Sequence, residues 1–349
     1  MLSQAINELT VRLRLKAESP VLVKDGRFGD TERRRWAHND AERERMPNAI
    51  PISHESVETI QEAMGAGTTV EIAAAVSRFR FFLPGSSLRG AWRAHLERAL
   101  RSQDPPDDPK VCDPLAAREK GKTPPVDESC SSILNEQRDR ILESHTAPYR
   151  VSCPVCRLFG SAMQASRLAI SDAERVGTAG GIEIRDHIQI DRRTGQSRLP
   201  IRFFGLKDAQ FEVEIRVRNF ELWQVRLLGQ LIGDIFGGKV PVGSGKSKGY
   251  GRLVGQWRKC ELTWFGASPG DNRLRGIADH PKWGPQLCSD YDLRQSPVLP
   301  ELPTQWKSSA PWRHDLALTL EQFAALIKQL PLDWNAVKPL SARQLPEQL

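Results

Sequence analysis

The chain contains no apolar run that approaches the about 20 residues a helix needs to cross a bilayer. Its first residues also lack the basic-then-apolar pattern of a secretory signal peptide. We therefore expect a cytoplasmic protein with no membrane partner. The cytoplasm keeps thiols reduced, so clustered cysteines in such a protein indicate a metal site rather than disulfides.

Complete nucleotide-binding motifs are missing as well. Residues 245–247 read Gly-Lys-Ser, but a P-loop requires glycine at position 240, which is Val240. A dinucleotide fingerprint fails because Lys248 occupies the position of its third glycine. What remains is a glycine-rich loop that lets the backbone approach a phosphate closely. Its predicted phosphate contacts are Gly243, Gly245, Lys246, Lys248 and Arg252.

Length and charge leave the class of protein broad. With 349 residues the chain can form one elaborated domain or two ordinary ones. The formal charge of +7 and the pI near 9.2 favour a polyanionic partner. The location of the basic residues decides whether that partner is a nucleic acid.

Four of the six cysteines lie between positions 112 and 156, and the last two form a Cys-x-x-Cys pair. That spacing lets two thiolates reach one tetrahedral ion. The polar run over residues 104–132 has little to pack, so a metal would supply folding energy there. The sequence thus predicts structural zinc on Cys112, Cys130, Cys153 and Cys156, with His145 as a substitute ligand. The alternatives are plain buried thiols or a redox pair, which would follow a strand and leave two cysteines unexplained.

Hydrophobic periodicity predicts an α+β fold. Residues 9–15 and 211–217 alternate as half-buried strands, and residues 79–83 form a short apolar strand. Helical spacing follows over residues 86–101 and again over residues 220–236. The order strand, helix, strands, strand, helix, strand fits an RRM-like, ferredoxin-like βαββαβ core with large insertions.

The start of the first long helix offers a candidate phosphate seat. Ser86 or Ser87 can cap the helix, and Arg89 and Arg93 follow in its first turns. Free backbone N–H groups at a helix start, together with arginines, suit an anion. We therefore predict that these four residues contact phosphate.

A hairpin is predicted near the middle of the chain. Residues 182–185 and 187–190 alternate as strands, and residues 191–195 have turn chemistry. Arg192 and Arg193 lie at the predicted tip, where a basic, flexible turn can push between nucleotides. The alternative is a solvated turn.

Two stretches give weaker patterns. Residues 31–75 are charged and irregular, which fits either a loop with short helices or a nucleic-acid contact. Beyond residue 264 the chain is rich in Pro, Trp and Asp, and one helix is predicted within residues 316–330. We expect this extension to pack on the core or on a neighbouring subunit.

Four segments together resemble the RAMP superfamily of CRISPR-associated proteins. Residues 84–90, Pro-Gly-Ser-Ser-Leu-Arg-Gly, resemble its strand-to-helix signature, and residues 153–160 are similar to a signature of its type III backbone subunits. Residues 185–195 resemble the thumb-like hairpin of those subunits. The glycine-rich loop over residues 243–251 lies where their C-terminal glycine-rich loop lies.

The resemblance implies a RAMP domain over residues 1–265, with a zinc-binding insertion at 104–160 and a thumb hairpin at 180–205. Residues 266–349 would be a C-terminal extension. It also implies a backbone subunit of a type III effector that binds crRNA through the helix and the glycine-rich loop. Target RNA, other effector subunits and copies of the chain itself would be its further partners.

The resemblance implies target cleavage by one aspartate in the loop after the first strand, with a divalent ion such as magnesium. Asp25 and Asp30 are the candidates, and each also fits a turn-forming or solvated acid, because the loop departs from the family pattern. The alternatives are an inactive structural subunit and a metal-independent ribonuclease that processes guide precursors. The latter needs a general base, whereas His38, His54 and His187 are scattered in the sequence.

Overall fold

The computed structural model describes residues 4–103, 110–113, 129–136, 138, 145–188, 190–196 and 200–331. Within these residues the fold is mixed α+β, with an eight-stranded antiparallel sheet, a separate two-stranded sheet and eleven helices. Parts of the predicted zinc insertion, of the hairpin tip and of the C-terminal extension lie outside the described residues. None of the helices described is both long and apolar enough to span a bilayer.

The strands in chain order are β1 (Asn7–Ala17), β2 (Phe82–Leu83), β3 (Leu168–Ile170), β4 (Ala173–Arg175), β5 (Gly181–His187), β6 (Ile201–Lys207), β7 (Gln210–Arg218), β8 (Leu253–Phe265), β9 (Lys307–Ala310) and β10 (Arg313–Leu318). The helices are α1 (Asp30–Trp36), α2 (Asp40–Arg45), α3 (Val57–Met64), α4 (Thr69–Val76), α5 (Gly85–Arg101), α6 (Cys130–Glu136), α7 (Ala147–Val151), α8 (Pro154–Phe159), α9 (Leu222–Phe236), α10 (Gly284–Tyr291) and α11 (Leu320–Gln329).

The large sheet is built around β1, which pairs with β7 on one side and β8 on the other. Its strand order is β2-β4-β7-β1-β8-β10-β9, and β3 also pairs with β7. Alternate residues of β1 are buried in the core, together with the apolar residues of α5 and α9. The two long helices therefore cover one face of the sheet.

The other face of the central strands is charged. Opposite positions of β1 and β7 pair acid with base, as in Glu8 with Arg218 and Arg12 with Glu214. Cross-strand ion pairs of this kind each contribute a few tenths of a kcal/mol to about 1 kcal/mol, which fixes the strand register.

Several predicted elements differ from the structure in extent. The apolar strand predicted at residues 79–83 is reduced to β2, and α9 begins at Leu222 because Glu221 caps it. The return strand of the hairpin is β6, which lies beyond the alternating residues 187–190. Residues 30–76 contain the four short helices α1 to α4, which fits the expected loop with short helices, and the nucleic-acid contact stays a prediction.

The described part of the C-terminal extension packs on the core. Strand β10 pairs with β8 and so continues the large sheet. Helix α11 lies against α9, where Ile327 covers Gly229, so closely that a Cβ at Gly229 would lie 2.5 Å from the Ile327 side chain. The helix predicted within residues 316–330 is α11, and residues 316–318 belong to β10. The domain boundary at residues 265/266 stays a prediction.

Candidate metal centre and nucleic-acid interface

The four clustered cysteines meet in one buried group. Cys153 caps the start of α8 and Cys156 lies in its first turn, while Cys130 begins α6. The sulfur of Cys112 lies 3.6 Å from that of Cys153 and 3.7 Å from that of Cys156. All four sulfurs lie within 4.8 Å of one another. A disulfide needs about 2.05 Å, so Cys112 forms none with Cys153 or Cys156.

This donor set fits a zinc ion. A tetrahedral site with Zn–S bonds of about 2.3 Å places its sulfurs about 3.8 Å apart, close to the separations observed. The backbone N–H groups of Cys153 and Cys156 donate to the sulfurs of Cys130 and Cys153 at 3.2 and 3.4 Å. Such donors stabilise the negative charge of thiolate ligands. The cluster is therefore compatible with zinc.

Two sequence alternatives for this group lose support. His145 is exposed and does not belong to the cluster of possible ligands found among the described residues. A thioredoxin-like redox pair would follow a strand, but helix α7 precedes Cys153. A redox pair of Cys153 and Cys156 would also not explain why Cys112 and Cys130 lie beside it.

Helix α5 begins differently from the prediction. Its capping residue is Pro84 rather than Ser86 or Ser87, and both serines lie in the first turn. The N–H group of Gly85 donates to the carboxylate of Asp172 at 2.7 Å. The predicted serine cap is therefore wrong, because a distant aspartate serves the first free N–H group.

The arginines of α5 bind protein rather than facing an open seat. Arg89 donates to the backbone oxygens of Phe159 and Leu168. Arg93 donates to Glu97, to the backbone oxygen of Gly160 and, at 3.1 Å, to the sulfur of Cys156. These contacts fasten the cysteine segment to α5 and direct both guanidinium groups to protein atoms. We therefore leave Arg89 and Arg93 out of the interface proposed below, and the phosphate contact of Ser86 and Ser87 stays a prediction.

The hairpin leaves apolar and basic side chains in solvent near its tip. Ile188 and Ile190 are 63% and 66% exposed, although isoleucine is usually buried. The Asp191 carboxylate accepts the N–H groups of Arg193 and Thr194 at 2.8 and 3.0 Å, which fixes the turn. Arg192 and Arg193 are exposed at this turn, as a contact to a nucleic acid requires.

The glycine-rich loop packs against the segment that follows β1. The N–H group of Ser244 donates to the backbone oxygen of Leu22 at 2.7 Å. Gly243 has a φ of +89°, and a Cβ there would lie 2.4 Å from the same oxygen, so only glycine fits. Lys246 and Lys248 are exposed in a short 3₁₀ turn at the loop's centre. Arg252 pairs with Glu18 at 3.1 Å.

The glycine-rich loop meets two segments that are distant from it in sequence. Lys24 follows β1, Arg185, His187 and Phe203 belong to the hairpin strands, and Lys248 and Tyr250 belong to the glycine-rich loop. We call these six residues the basic–aromatic cluster. The Nζ atoms of Lys24 and Lys248 lie 5.0 and 6.0 Å from the centre of the Phe203 ring. Arg185 lies over the Tyr250 ring at 5.2 Å, and His187 Nε2 lies 3.0 Å from the Tyr250 hydroxyl.

The two lysines give the cluster its uncompensated positive charge, since Arg185 pairs with Glu183 at 2.5 Å. Partial burial, followed by the positive charges of Lys248 and Arg185, lowers the pKa of His187 below its usual value. His187 is therefore neutral near pH 7. Within the described residues, Lys24 and Lys248 pair with no acidic side chain. An anion placed beside them would relieve the repulsion between these cations.

The two candidate aspartates have very different surroundings. Asp25 is 1% exposed, and its two carboxylate oxygens accept hydrogen bonds from the Arg27 side chain at 2.9 and 2.6 Å. Arg27 also donates to the backbone oxygens of Ser53 and Glu55. Asp25 thus holds its loop in shape. Asp30 is 71% exposed at the start of α1 and pairs with Arg33 at 2.9 Å.

A family model for the RAMP superfamily matches residues 14–254. The chain belongs to the RAMP superfamily. Membership indicates a CRISPR-associated, RNA-binding function. No curated protein matches the chain by sequence. The matched residues of this RAMP protein include the four clustered cysteines, the hairpin and the glycine-rich loop, whereas most of β8 and the C-terminal extension lie outside the match.

The charged sheet face distinguishes this RAMP protein from an RNA binder that uses its sheet. In RRM domains, aromatic side chains on the open face of the sheet stack on bases. Here the outward positions of β1 and β7 carry charged or amide side chains and Thr10, and no aromatic ring. The charged side chains on this face already form ion pairs with one another. RNA contacts are therefore expected at the loops and the hairpin rather than on this face.

Of the six residues of the basic–aromatic cluster, only Lys248 was predicted from the sequence to contact RNA. Tyr250 lies inside the glycine-rich loop and could have been predicted from the sequence, since aromatic rings among basic residues are typical of single-strand binding. Lys24 and Phe203 gave no local signal. They meet the loop only because β6 forms an isolated bridge with Val21 and brings the hairpin to the segment after β1.

Proposed function

We propose that this protein is a backbone subunit of a type III CRISPR effector complex that binds crRNA and the guide–target duplex. The observation that supports this most is the basic–aromatic cluster. Three segments that are far apart in sequence place two unpaired lysines, an arginine and two aromatic rings together. Lysine and arginine contact phosphates, and the half-buried Phe203 ring can stack on a base, whereas the buried Tyr250 holds Arg185 and His187 in place. Together these groups suit a ribonucleotide strand gripped without sequence readout.

The strand order supports an RRM-like, ferredoxin-like core for this subunit. Strand β1, helix α5, strands β4 and β7, helix α9 and strand β8 follow one another as βαββαβ. The corresponding strands are neighbours in the sheet, in the order β4-β7-β1-β8. The strands β9 and β10 then extend the sheet beyond β8.

Structural zinc is part of the proposal. The four sulfurs of Cys112, Cys130, Cys153 and Cys156 would hold the ion, and binding would supply folding energy to the polar insertion. Arg93 connects this centre to α5 through its contact with Cys156. The zinc would thus position the helix that packs beneath the sheet.

For target cleavage we assign Asp30 rather than Asp25. Asp30 is exposed and lies at the edge of an open cleft, whereas Asp25 is buried and paired. Among the described residues the four cysteines are the one group of three or more possible metal ligands, so Asp30 is not part of a preassembled magnesium site. One carboxylate with ligands from RNA phosphates is a normal magnesium environment.

A specific contact favours metal-independent RNA cleavage as a second candidate function. The structure brings the neutral His187 to the Tyr250 hydroxyl, with Lys248 and Arg185 nearby. A neutral histidine can accept a proton from a 2′-hydroxyl, and cations stabilise the charge that develops on the phosphate. If this candidate is correct, the isolated chain cleaves precursor RNA in the presence of a chelator, and His187→Ala abolishes the cleavage.

RNA binding by the basic–aromatic cluster can be tested with the double substitution Lys24→Gln/Lys248→Gln. We expect affinity for an unstructured single-stranded RNA to fall about tenfold or more, equivalent to about 1.4 kcal/mol. The slope of log affinity against log salt should decrease by about 1.4, since each single-strand phosphate contact contributes about 0.7. Fluorescence anisotropy over a salt series measures both quantities.

The matched control removes two lysines elsewhere. Lys307 and Lys328 are exposed in the C-terminal extension, and Lys307→Gln/Lys328→Gln changes the net charge equally. We expect this variant to bind RNA nearly as the unmodified protein does. Equal losses in both double variants would show that only net charge matters, and failure of the unmodified protein to bind RNA at low salt would refute the proposed function.

A further inference from the structure

A second basic surface lies beside the hairpin. Helices α1 and α2 and the beginning of β6 enclose an open cleft of about 570 Å³. Five arginines and two acids line it, together with Asn48 and the apolar residues Pro200 and Ile201. We call it the arginine cleft; its arginines are Arg33, Arg34, Arg43, Arg45 and Arg202.

The fold uses three of these arginines and leaves two without an acidic partner. Arg33 pairs with Asp30, Arg43 with Asp40 and Arg202 with Asp186, at 2.7 to 2.9 Å. Arg34 and Arg45 are exposed, and in the part of the chain that the structure describes they form no ion pair. The Nε atom of Arg33 is buried without a hydrogen-bond partner.

The two unpaired arginines, Arg34 and Arg45, have no evident role in stability. Exposed arginines gain little from one another, and their repulsion costs free energy at low salt. Seven of the eleven residues that line the cleft are charged, so it does not suit an apolar ligand. Its chemistry suits a ligand that carries several negative charges in a row and can accept fork-like hydrogen bonds from guanidinium groups.

The arginine cleft and the basic–aromatic cluster lie on opposite faces of the hairpin. Side chains alternate between the two faces of a strand. Arg202 pairs with Asp186 and donates to the backbone oxygen of Glu44 on the α2 side. Its neighbour Phe203 contacts His187 and Lys24 on the glycine-rich loop side. The base of the hairpin therefore separates two cationic surfaces.

We propose that the arginine cleft binds the phosphodiester backbone of RNA on the face of the hairpin opposite the basic–aromatic cluster. This inference rests on the proposed RNA-binding function and adds a second site to it. The backbone is either that of a second, paired strand or a later stretch of the same strand as it passes the hairpin. Asp30, at the edge of the cleft, would then lie beside a phosphate of that segment.

The test uses the double substitution Arg34→Gln/Arg45→Gln in the full chain. Its matched control is Arg273→Gln/Arg294→Gln, which removes two exposed arginines of the extension. Each protein is titrated with a labelled single-stranded RNA and with the same RNA annealed to its complement, over a salt series. Thermal unfolding of each variant establishes that it is folded.

We expect the cleft variant to bind at least one of the two RNAs about tenfold more weakly than the control does, with a salt slope lower by about 1 to 2. A loss confined to the duplex identifies the ligand as a second strand, and a loss with both RNAs identifies a later stretch of one strand. Either result supports the proposal.

Unchanged affinity and salt slope for both RNAs would overturn the inference, provided that the unmodified protein binds RNA. That outcome leaves the proposed function intact, since the basic–aromatic cluster would still bind. If the unmodified protein binds neither RNA at low salt, the proposed function itself fails, and the inference fails with it.

Discussion

Cys153→Ser is expected to abolish zinc binding and with it the native state of the cysteine lobe. Cys153 contributes one of four mutually close sulfurs and also caps α8. Structural zinc contributes about 10–16 kcal/mol in small peptide domains, which equals or exceeds the about 5–15 kcal/mol net stability of a typical protein. We therefore expect the variant to be insoluble or to unfold at a much lower temperature, as measured by thermal denaturation.

Cys288→Ser provides the control for this prediction. Cys288 is half-buried outside the cluster, so its substitution should leave both the metal content and the unfolding temperature nearly unchanged. Native mass spectrometry of the unmodified protein gives a second measurement that does not require the variant to fold. One zinc per chain is expected, and a chelator should release it and expose four reactive thiols. A metal-free protein whose stability is insensitive to Cys153→Ser would contradict the zinc assignment.

Substitution of the two candidate aspartates should give opposite results. Asp25→Asn removes the charge that holds Arg27 and should lower the free energy of unfolding by about 2–4 kcal/mol. The loss is smaller than for a fully buried pair because Arg27 is 39% exposed. Asp30→Asn should change stability little, since its pair with Arg33 is on the surface. Chemical denaturation measures both effects.

For target cleavage we expect the opposite: Asp30→Asn has the larger effect and Asp25→Asn the smaller one. In the particle assembled on its guide RNA, we expect Asp30→Asn to slow magnesium-dependent cleavage of a complementary target about 100-fold or more, as loss of several kcal/mol of charge stabilisation requires. Glu44→Gln removes another acid that lines the same cleft and serves as the control. If the Asp30→Asn particle and the Asp25→Asn particle both cleave normally, neither aspartate is needed for cleavage. That result would favour the inactive structural subunit. Loss of cleavage in the Asp25→Asn particle alone would return the role to Asp25.

The long periodic elements could be predicted from sequence because their signals are local. The alternation that predicted β7 and the helical spacing that predicted α9 both reflect burial of one face of the element itself. The start of α5 could not be predicted in the same way. Its first N–H group is served by Asp172, which lies 87 residues further along the chain, so no nearby residue indicates the cap.

The candidate sites divide along the same line. Cysteine clustering in the sequence predicted the metal ligands, and the structure brings all four thiols together. The arginines of α5 were predicted to contact phosphate because free N–H groups at a helix start, together with arginines in the first turns, suit an anion. In the structure, Arg89 and Arg93 instead reach the cysteine segment. A sequence cannot show whether the donors of an arginine are taken up by backbone oxygens from another segment.

Sequence by itself determined the family signatures, the alternating strands, the amphipathic helices and the residues suited to a metal ion, because each depends on neighbours or on short spacings. Tertiary structure alone decided which aspartate is exposed and which arginines remain unpaired. It also decided that Lys24, Phe203 and Tyr250 meet, through the bridge between Val21 and Leu206. The physical reason is that burial and pairing of a charged side chain depend on segments brought close by the fold, and the printed order of residues does not contain those distances.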